Sequence, residues 1–171
     1  MKSLFKASLI VASLTTTAVA QERILTPEKA KGFDGVITQC IRFARVSYVD
    51  GMCDALDTSV ARLAKDNGLH HINLGQNEWG FGTDEYLRAP DTFPAKQPIH
   101  LTYYIRASDA PAGTFVWLSL YQDAGQKGRF VLWEDSGLGV GDIGTITAGL
   151  TQGLEQKLSP VFKALGQGRA K

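Results

Sequence analysis

The stretch IHLTYYIRA, residues 99–107, decides the fold, because apolar and polar side chains alternate along it. Alternation with a period of two is the pattern of a β-strand with one face in the core. One side of the predicted strand carries Ile99, Leu101, Tyr103, Ile105 and Ala107, and the other carries His100, Thr102, Tyr104 and Arg106. We therefore expect the core to be built on a sheet that contains this strand.

Two further strands are predicted after it, over residues 114–122 and 130–133. Turn-forming residues at 108–113 and 123–128 separate the three segments. Short connections of this kind join antiparallel neighbours, so the pattern indicates an antiparallel meander. The middle strand is apolar on both faces, with Val116, Leu118 and Leu120 on one side and Phe115, Trp117 and Tyr121 on the other.

Two amphipathic helices complete the predicted fold, over residues 52–67 and 142–165, where apolar residues recur at helical spacing. Pro160 should kink the second helix. Gly149 and Gly153 lie four residues apart in it and lower its helix propensity by about 1–2 kcal/mol, so we expect a packing reason for them. Together these elements predict one α+β domain over residues 21–171, in which a mostly antiparallel sheet of three to five strands packs against two or three helices.

Residues 36–49 fit both a strand and a helix. Cys40 and Cys53 are the only cysteines, and an isolated pair in an oxidising compartment is typical of a structural disulfide. A straight strand that continued for about ten residues past Cys40 would run roughly 33 Å, which the few residues before Cys53 could not retrace. The disulfide therefore requires either a helix through Cys40 or a strong bend near residues 42–45, and we favour a helix that ends near Arg45.

Residues 1–20 are typical of a cleavable export signal. They contain two lysines, a short apolar stretch and the A-x-A sequence AVA at 18–20. The apolar stretch is too short to span a bilayer, so we expect no membrane span in the mature chain. Cleavage between Ala20 and Gln21 would release a periplasmic or secreted protein.

Charge argues against a nucleic-acid partner. The chain has 18 basic and 17 acidic residues, and loss of the two leader lysines leaves 16 basic against 17 acidic, a net charge of −1. The sequence GVGDIG at 139–144 has dinucleotide-binding spacing. No second parallel strand is expected after it, however, and Asp142 stands where a pyrophosphate would bind. We therefore expect no cofactor.

Two other functions remain open as alternatives. The first is a metal site built from His70, His71 and His100, although adjacent histidines on a strand point to opposite faces. The second is a small hydrolase acting on envelope polymers through paired carboxylates drawn from Glu78, Asp84 and Glu85. Residues 21–171 contain no G-x-S-x-G, S-x-x-K or H-E-x-x-H motif, so a non-catalytic function is favoured over an enzyme.

The aromatic face of the meander is the main candidate site. Tyr104, Phe115, Trp117 and Tyr121 share it with either Val131 and Trp133 or Phe130 and Leu132, depending on the register. If the face is open, it suits an envelope protein or a glycan; if it is covered, the long loop at 76–97 or the N-terminal segment lies over it. The sequence thus predicts an exported, non-catalytic accessory or binding protein that acts through this face and the loop. Its expected binding residues are Trp79, Phe81, Tyr104, Phe115, Trp117, Tyr121 and Trp133.

Overall fold

The computed structural model describes residues 24–43, 46–78, 89–109, 112–124 and 128–169, and the structural statements below concern these residues. They form, in chain order, β1 (Gly35–Arg42), α1 (Tyr48–Asp66), β2 (His70–Glu78), β3 (Pro98–Asp109), β4 (Ala112–Asp123), β5 (Arg129–Val140) and α2 (Ile143–Gly168). The predicted leader lies outside the described residues, as do Trp79, Phe81, Asp84, Glu85 and Tyr86.

The strands form one five-stranded sheet in the order β2-β1-β3-β4-β5. β1 is parallel to both β2 and β3, whereas β3, β4 and β5 form the predicted antiparallel meander. The α+β class is confirmed, but the expectation of a mostly antiparallel sheet is wrong, because the sheet is mixed. The physical reason is α1, since a helix that connects two neighbouring strands of one sheet returns the chain to the same end and makes them parallel.

Cys40 and Cys53 form the predicted disulfide, with a Cα–Cα distance of 5.9 Å. The helix predicted through Cys40 is wrong, because that residue lies in β1. The strand ends at Arg42, only two residues later, and α1 has begun by Tyr48. The long straight strand that would have excluded the disulfide therefore does not exist, and the bend that we considered as the other solution is the one found.

Both helices pack on the same face of the sheet and enclose a single hydrophobic core. As predicted, alternate residues of β3 and β4 enter that core, namely Leu101, Tyr103, Ile105, Val116, Leu118 and Leu120. On the helix side, Leu56 and Val60 of α1 and Leu154 and Leu158 of α2 are almost fully buried. Neither described helix is both long enough and apolar enough to cross a membrane.

β5 continues well beyond Trp133, where the predicted strand ends. Gly137 and Gly139 lower the strand propensity of this extension, which hid it from the sequence pattern. Both glycines face α2. A Cβ atom would lie 2.9 Å from Leu150 Cδ2 at the first position and 3.0 Å from Ile146 Cγ2 at the second. The glycines therefore allow the helix to approach the strand closely.

Two other boundaries differ from the prediction. α2 is one helix that continues through Pro160, where a kink is predicted, and it ends at Gly168 rather than at residue 165. β2 extends to Glu78, so the first residues of the predicted loop at 76–97 belong to the sheet. Asp142 caps the start of α2, because its side chain accepts a hydrogen bond of 2.9 Å from the Thr145 N–H.

Candidate binding face

Neither of the two described helices covers one face of the sheet, which we call the open face. Register places Tyr104 of β3 opposite Trp117 of β4, and Phe115 of β4 opposite Leu138 of β5. Their neighbours along β3 and β4 point into the core, so these side chains point to the other side of the sheet. The open face therefore carries the aromatic residues that the alternation of the sequence predicts.

Three aromatic rings form a row across the open face. Tyr104 and Trp117 are stacked, with ring centroids 4.9 Å apart and an interplanar angle of 26°. Phe43, just after β1, lies 6.3 Å from Tyr104 between ring centroids. Rings at these separations attract one another beyond their simple burial, so the row is a preorganised surface rather than a set of independent side chains.

A second aromatic group lies beside this row and is polar as well. His100 stacks on Tyr121 with ring centroids 5.3 Å apart, and the Arg129 guanidinium carbon lies 4.5 Å from the centre of the Tyr121 ring. Arg129 also donates a hydrogen bond of 3.4 Å to the Tyr104 hydroxyl, which links the two groups. Burial lowers the pKa of His100, with Arg129 acting in the same direction and Asp123 opposing it. The imidazole is therefore neutral at pH 7 and stacks as an uncharged ring.

Burial is uneven across the open face. Thr102, Ser119 and Tyr121 are buried even though no helix covers them. At one end of β1, Phe93 and Ala95 lie against the sheet, because a Cβ atom at Gly35 would come within 2.4 Å of Ala95 Cβ and 3.1 Å of Phe93 Cζ. The open face is thus partly covered by the chain itself, and the β4–β5 side carries most of its exposed large hydrophobic residues.

That exposed region is contiguous, and we call it the β4–β5 patch: Phe115, Trp117, Leu138 and Val140. Their exposed fractions are 45, 39, 72 and 75%, respectively. Phe115 and Leu138 are cross-strand partners, and Val140 follows two residues further along the same face of β5. Single exposed apolar residues are ordinary on soluble proteins, whereas contiguous groups mark interaction sites.

The structure brings together only part of the predicted site. Tyr104, Phe115, Trp117 and Tyr121 share the open face as expected. Trp133 does not, because it pairs with Leu120 and is buried in the core. A β-bulge in the β4–β5 pairing changes the side to which the β5 side chains point, so Val131 and Trp133 no longer share a face.

Leu138 and Val140 are not among the predicted site residues, because the third predicted strand ends at residue 133 whereas β5 continues to Val140. The signal that could have found them is the alternation of Ser136, Leu138 and Val140 with glycine. Alternation of apolar residues with glycine fits a strand whose other face lies under a closely packed helix.

A buried polar cluster lies on the helix-covered face. The Thr38 hydroxyl donates to Asp57 Oδ1 at 2.5 Å, and His71 Nε2 lies 2.9 Å from the same hydroxyl oxygen. Because the hydroxyl proton is directed at Asp57, His71 donates to the oxygen rather than accepting from it. A histidine that donates cannot activate the hydroxyl as a nucleophile, so the cluster joins α1, β1 and β2 structurally.

The surroundings of Asp57 in this cluster determine the pKa of its carboxyl. Burial raises the pKa of that carboxyl, but hydrogen bonds from His71 and Thr38 outweigh the effect and hold the pKa below its usual value. Asp57 is therefore ionised at neutral pH, and its negative charge is matched by the two donors.

The residues of the two alternative functions are dispersed. His71 belongs to the polar cluster, whereas His70 lies against Phe93 on the open-face side and His100 stacks on Tyr121. Within the described ranges, no group of three or more histidine, cysteine or acidic residues could hold a metal ion. Glu78 forms an ion pair of 3.6 Å with Arg42, and the other two candidate acids lie outside the described residues.

A cleft of about 670 Å³ lies between α1 and α2, bordered mainly by small residues such as Gly51, Ala55 and Ala148. The carboxylate at its border is Glu155, which accepts a hydrogen bond of 2.8 Å from Ser59 and also pairs with Arg62. Through these contacts, Glu155 links α2 to α1.

No protein-family model and no curated protein matches the chain. Among solved structures, it is similar to a PelC dodecamer from Paraburkholderia phytofirmans, with a TM-score of 0.43 and 12% sequence identity. The similarity covers 86% of this chain and 93% of that chain.

Proposed function

We propose that this chain is an exported, non-catalytic binding protein that contacts an envelope protein through the β4–β5 patch. The observation that carries the proposal is the contiguous exposure of Phe115, Trp117, Leu138 and Val140 on the open face. When a partner removes apolar area of this kind from water, the free energy of the complex falls by roughly 25 cal/mol per Å².

Export is supported by two independent features. Residues 1–20 have the composition of a cleavable leader. Cys40 and Cys53 are joined in a disulfide, and disulfides persist mainly outside the cytoplasm. The mature N-terminus would be Gln21, which intact-mass analysis of the purified protein would reveal directly.

A protein partner fits the patch better than a glycan does. Sugars bind to the flat faces of aromatic rings, and Trp117 already has Tyr104 stacked against one face. The most exposed members of the patch are the aliphatic residues Leu138 and Val140, which provide no such platform. Aliphatic and aromatic side chains in one contiguous group are typical of the core of a protein interface.

Site-specific photo-crosslinking in the producing cell tests the proposal. Benzoyl-phenylalanine would replace Trp117 in one variant and Gln152, an exposed residue of α2, in the control. We expect one envelope protein to be crosslinked from Trp117 and not from Gln152. Equal capture from both positions, or a glycan as the only adduct, would overturn the proposal.

A matched pair of substitutions provides a second test of the protein partner. Trp117→Ala should abolish co-purification of the crosslinked partner, whereas Gln152→Ala should leave it unchanged. Both positions are exposed or half-exposed, so neither substitution should unfold the chain, and thermal melts would verify this.

A further inference from the structure

We propose that the partner contributes an extended strand that pairs with the free edge of β5, at residues 136–140. This inference rests on the proposed function and names the chemistry of the partner. β5 is the last strand of the sheet, with β4 as its one neighbour among the described strands. An edge strand presents main-chain donors and acceptors that another extended chain can satisfy.

The hydrogen bonds of Ser136 show which main-chain groups point outward. Its N–H donates to Asp135 Oδ1 at 2.6 Å, and its carbonyl oxygen accepts from Lys157 Nζ at 2.8 Å. In an antiparallel pair, residues alternate between bonding to the neighbouring strand and pointing away from it. Ser136 therefore points away from β4, and by the same alternation so do the main-chain groups of Leu138 and Val140.

The contact at the end of the strand agrees with this alternation. The Gly141 N–H, an odd-numbered position, donates toward β4 and reaches the Ala112 carbonyl at 3.4 Å. Side chains of Asp135 and Lys157 thus occupy the outward groups of Ser136. The outward groups of Leu138 and Val140 remain available to an incoming strand.

The side chains around this edge suit an extended chain. Leu138 and Val140 are exposed on the open face, next to Phe115. Alternate apolar side chains of an added strand would lie on them, because a sixth strand continues the same open face about 4.8 Å from β5. The main-chain edge and the β4–β5 patch therefore form one continuous surface.

α2 leaves room for the added strand on the other face. Gly153 and Gly149 lie four and eight residues before Lys157, whose Nζ reaches the Ser136 carbonyl at the β5 edge, so spacing by helical turns places them on the same side of α2. A Cβ atom at Gly149 or Gly153 would meet nothing within 4 Å. Each glycine lowers helix propensity by about 1 kcal/mol, and the described chain offers no contact that explains it. A strand beside β5 would pass along this open flank.

Charge favours a different protein over a second copy paired symmetrically about Leu138. That antiparallel pairing would bring Glu134 of one copy close to Asp142 of the other, which caps α2 just beyond β5, and symmetry would repeat the contact. Like charges brought together in this way destabilise a strand pair. A strand from another protein has no such restriction.

The test uses the purified mature chain and an array of twelve-residue peptides that covers the exported proteins of the producing organism. The peptide that binds best is then titrated against wild type, Leu138→Pro and Leu138→Ala. Proline removes the outward N–H and leaves the bonds to β4 intact, a position that tolerates it on edge strands, whereas alanine removes only the side chain. We expect binding to weaken by at least about tenfold more for proline than for alanine.

Amide hydrogen exchange provides a readout that does not depend on the folding of a variant. The bound peptide should protect the amides of Leu138 and Val140 in the wild-type chain. Gly149→Leu should weaken binding while leaving thermal stability equal or higher, because leucine is the better helix former.

The outcomes separate the two proposals. If Trp117 crosslinks a partner but proline and alanine at Leu138 weaken binding equally, the edge pairing is wrong and the binding face stands. If sedimentation shows that β5 pairs with a second copy of this chain, the inference is also wrong. If neither crosslinking nor the array detects a partner, both proposals fail.

Discussion

Gly139→Ala should destabilise the fold, because the structure leaves no space for a methyl group between β5 and α2. A Cβ atom at this position would lie 3.0 Å from Ile146 Cγ2 and 3.1 Å from Leu150 Cδ1. Both partners are buried residues of α2, so they cannot turn into solvent. The helix must therefore move outward or the side chains must leave their preferred rotamers.

The expected loss follows from two opposing effects. Overpacking of a close contact costs about 1–3 kcal/mol, while replacing glycine restricts the unfolded chain and returns roughly 0.4–1 kcal/mol. With the middle of each range the net loss is about 1.3 kcal/mol, between limits of roughly 0 and 2.6 kcal/mol. For a domain of this size the melting temperature should then fall by roughly 3–5 °C.

Gly149→Ala is the matched control, because it adds the same methyl group to the same helix–strand unit where the space is open. It should stabilise the protein by about 1 kcal/mol through helix propensity. Urea unfolding followed by circular dichroism would compare the two variants with wild type at equal m-values. A stabilising effect of Gly139→Ala, or a destabilising effect of Gly149→Ala, would show that α2 is not seated on β5 as described.

Two further predictions concern the part of the core between β1 and α1. Replacing both Cys40 and Cys53 with alanine should lower the free energy of unfolding by about 3 kcal/mol, measured by urea unfolding; detection of free thiols in wild type by non-reducing mass mapping would refute the premise. Asp57→Asn should cost about 1–3 kcal/mol at pH 7. Because hydrogen bonds hold the pKa of Asp57 below its usual 3.8, the carboxylate stabilises the fold above that pH and stops doing so as the pH falls through the lowered pKa. The difference between wild type and Asp57→Asn should therefore shrink in urea titrations below about pH 4, and a constant difference down to pH 2 would contradict the hydrogen-bonded ionised state.

The antiparallel half of the sheet could be predicted because its signal is local. Alternation along β3 and β4 determines which side chains share a face, and it correctly placed Tyr104, Phe115 and Trp117 together. Short turns between the strands then leave antiparallel pairing as the simple solution. Nothing in these steps requires knowledge of residues far away along the chain.

The parallel half could not be predicted in this way. β1 pairs with β2 across the whole of α1, and with β3 across an even longer separation. The pattern around Cys40 fits a helix and a strand equally well, so the deciding interactions are the non-local strand pairings. If β1 is not recognised as a strand, its parallel pairings with β2 and β3 cannot be predicted. The sheet is then predicted as mostly antiparallel.

The solvent exposure of each side chain also could not be predicted from the sequence, because it depends on which other residues cover that side chain. Thr102 and Trp117 both lie on the open face, yet the first is buried and the second is not. Alternation assigns a residue to a face but does not say what lies over that face. The aromatic residues were therefore predictable as a group, whereas the choice of the β4–β5 side required the structure.

The glycines of β5 have close neighbours, whereas two glycines of α2 have none. Gly137 and Gly139 lower strand propensity, and the close approach of α2 accounts for them. Gly149 and Gly153 lower helix propensity, and no contact within the described chain accounts for them. A glycine that lowers helix propensity, and that no contact within the described chain explains, is expected where another molecule packs against the helix. The open flank of α2 beside the edge of β5 is therefore the place where a partner strand is expected.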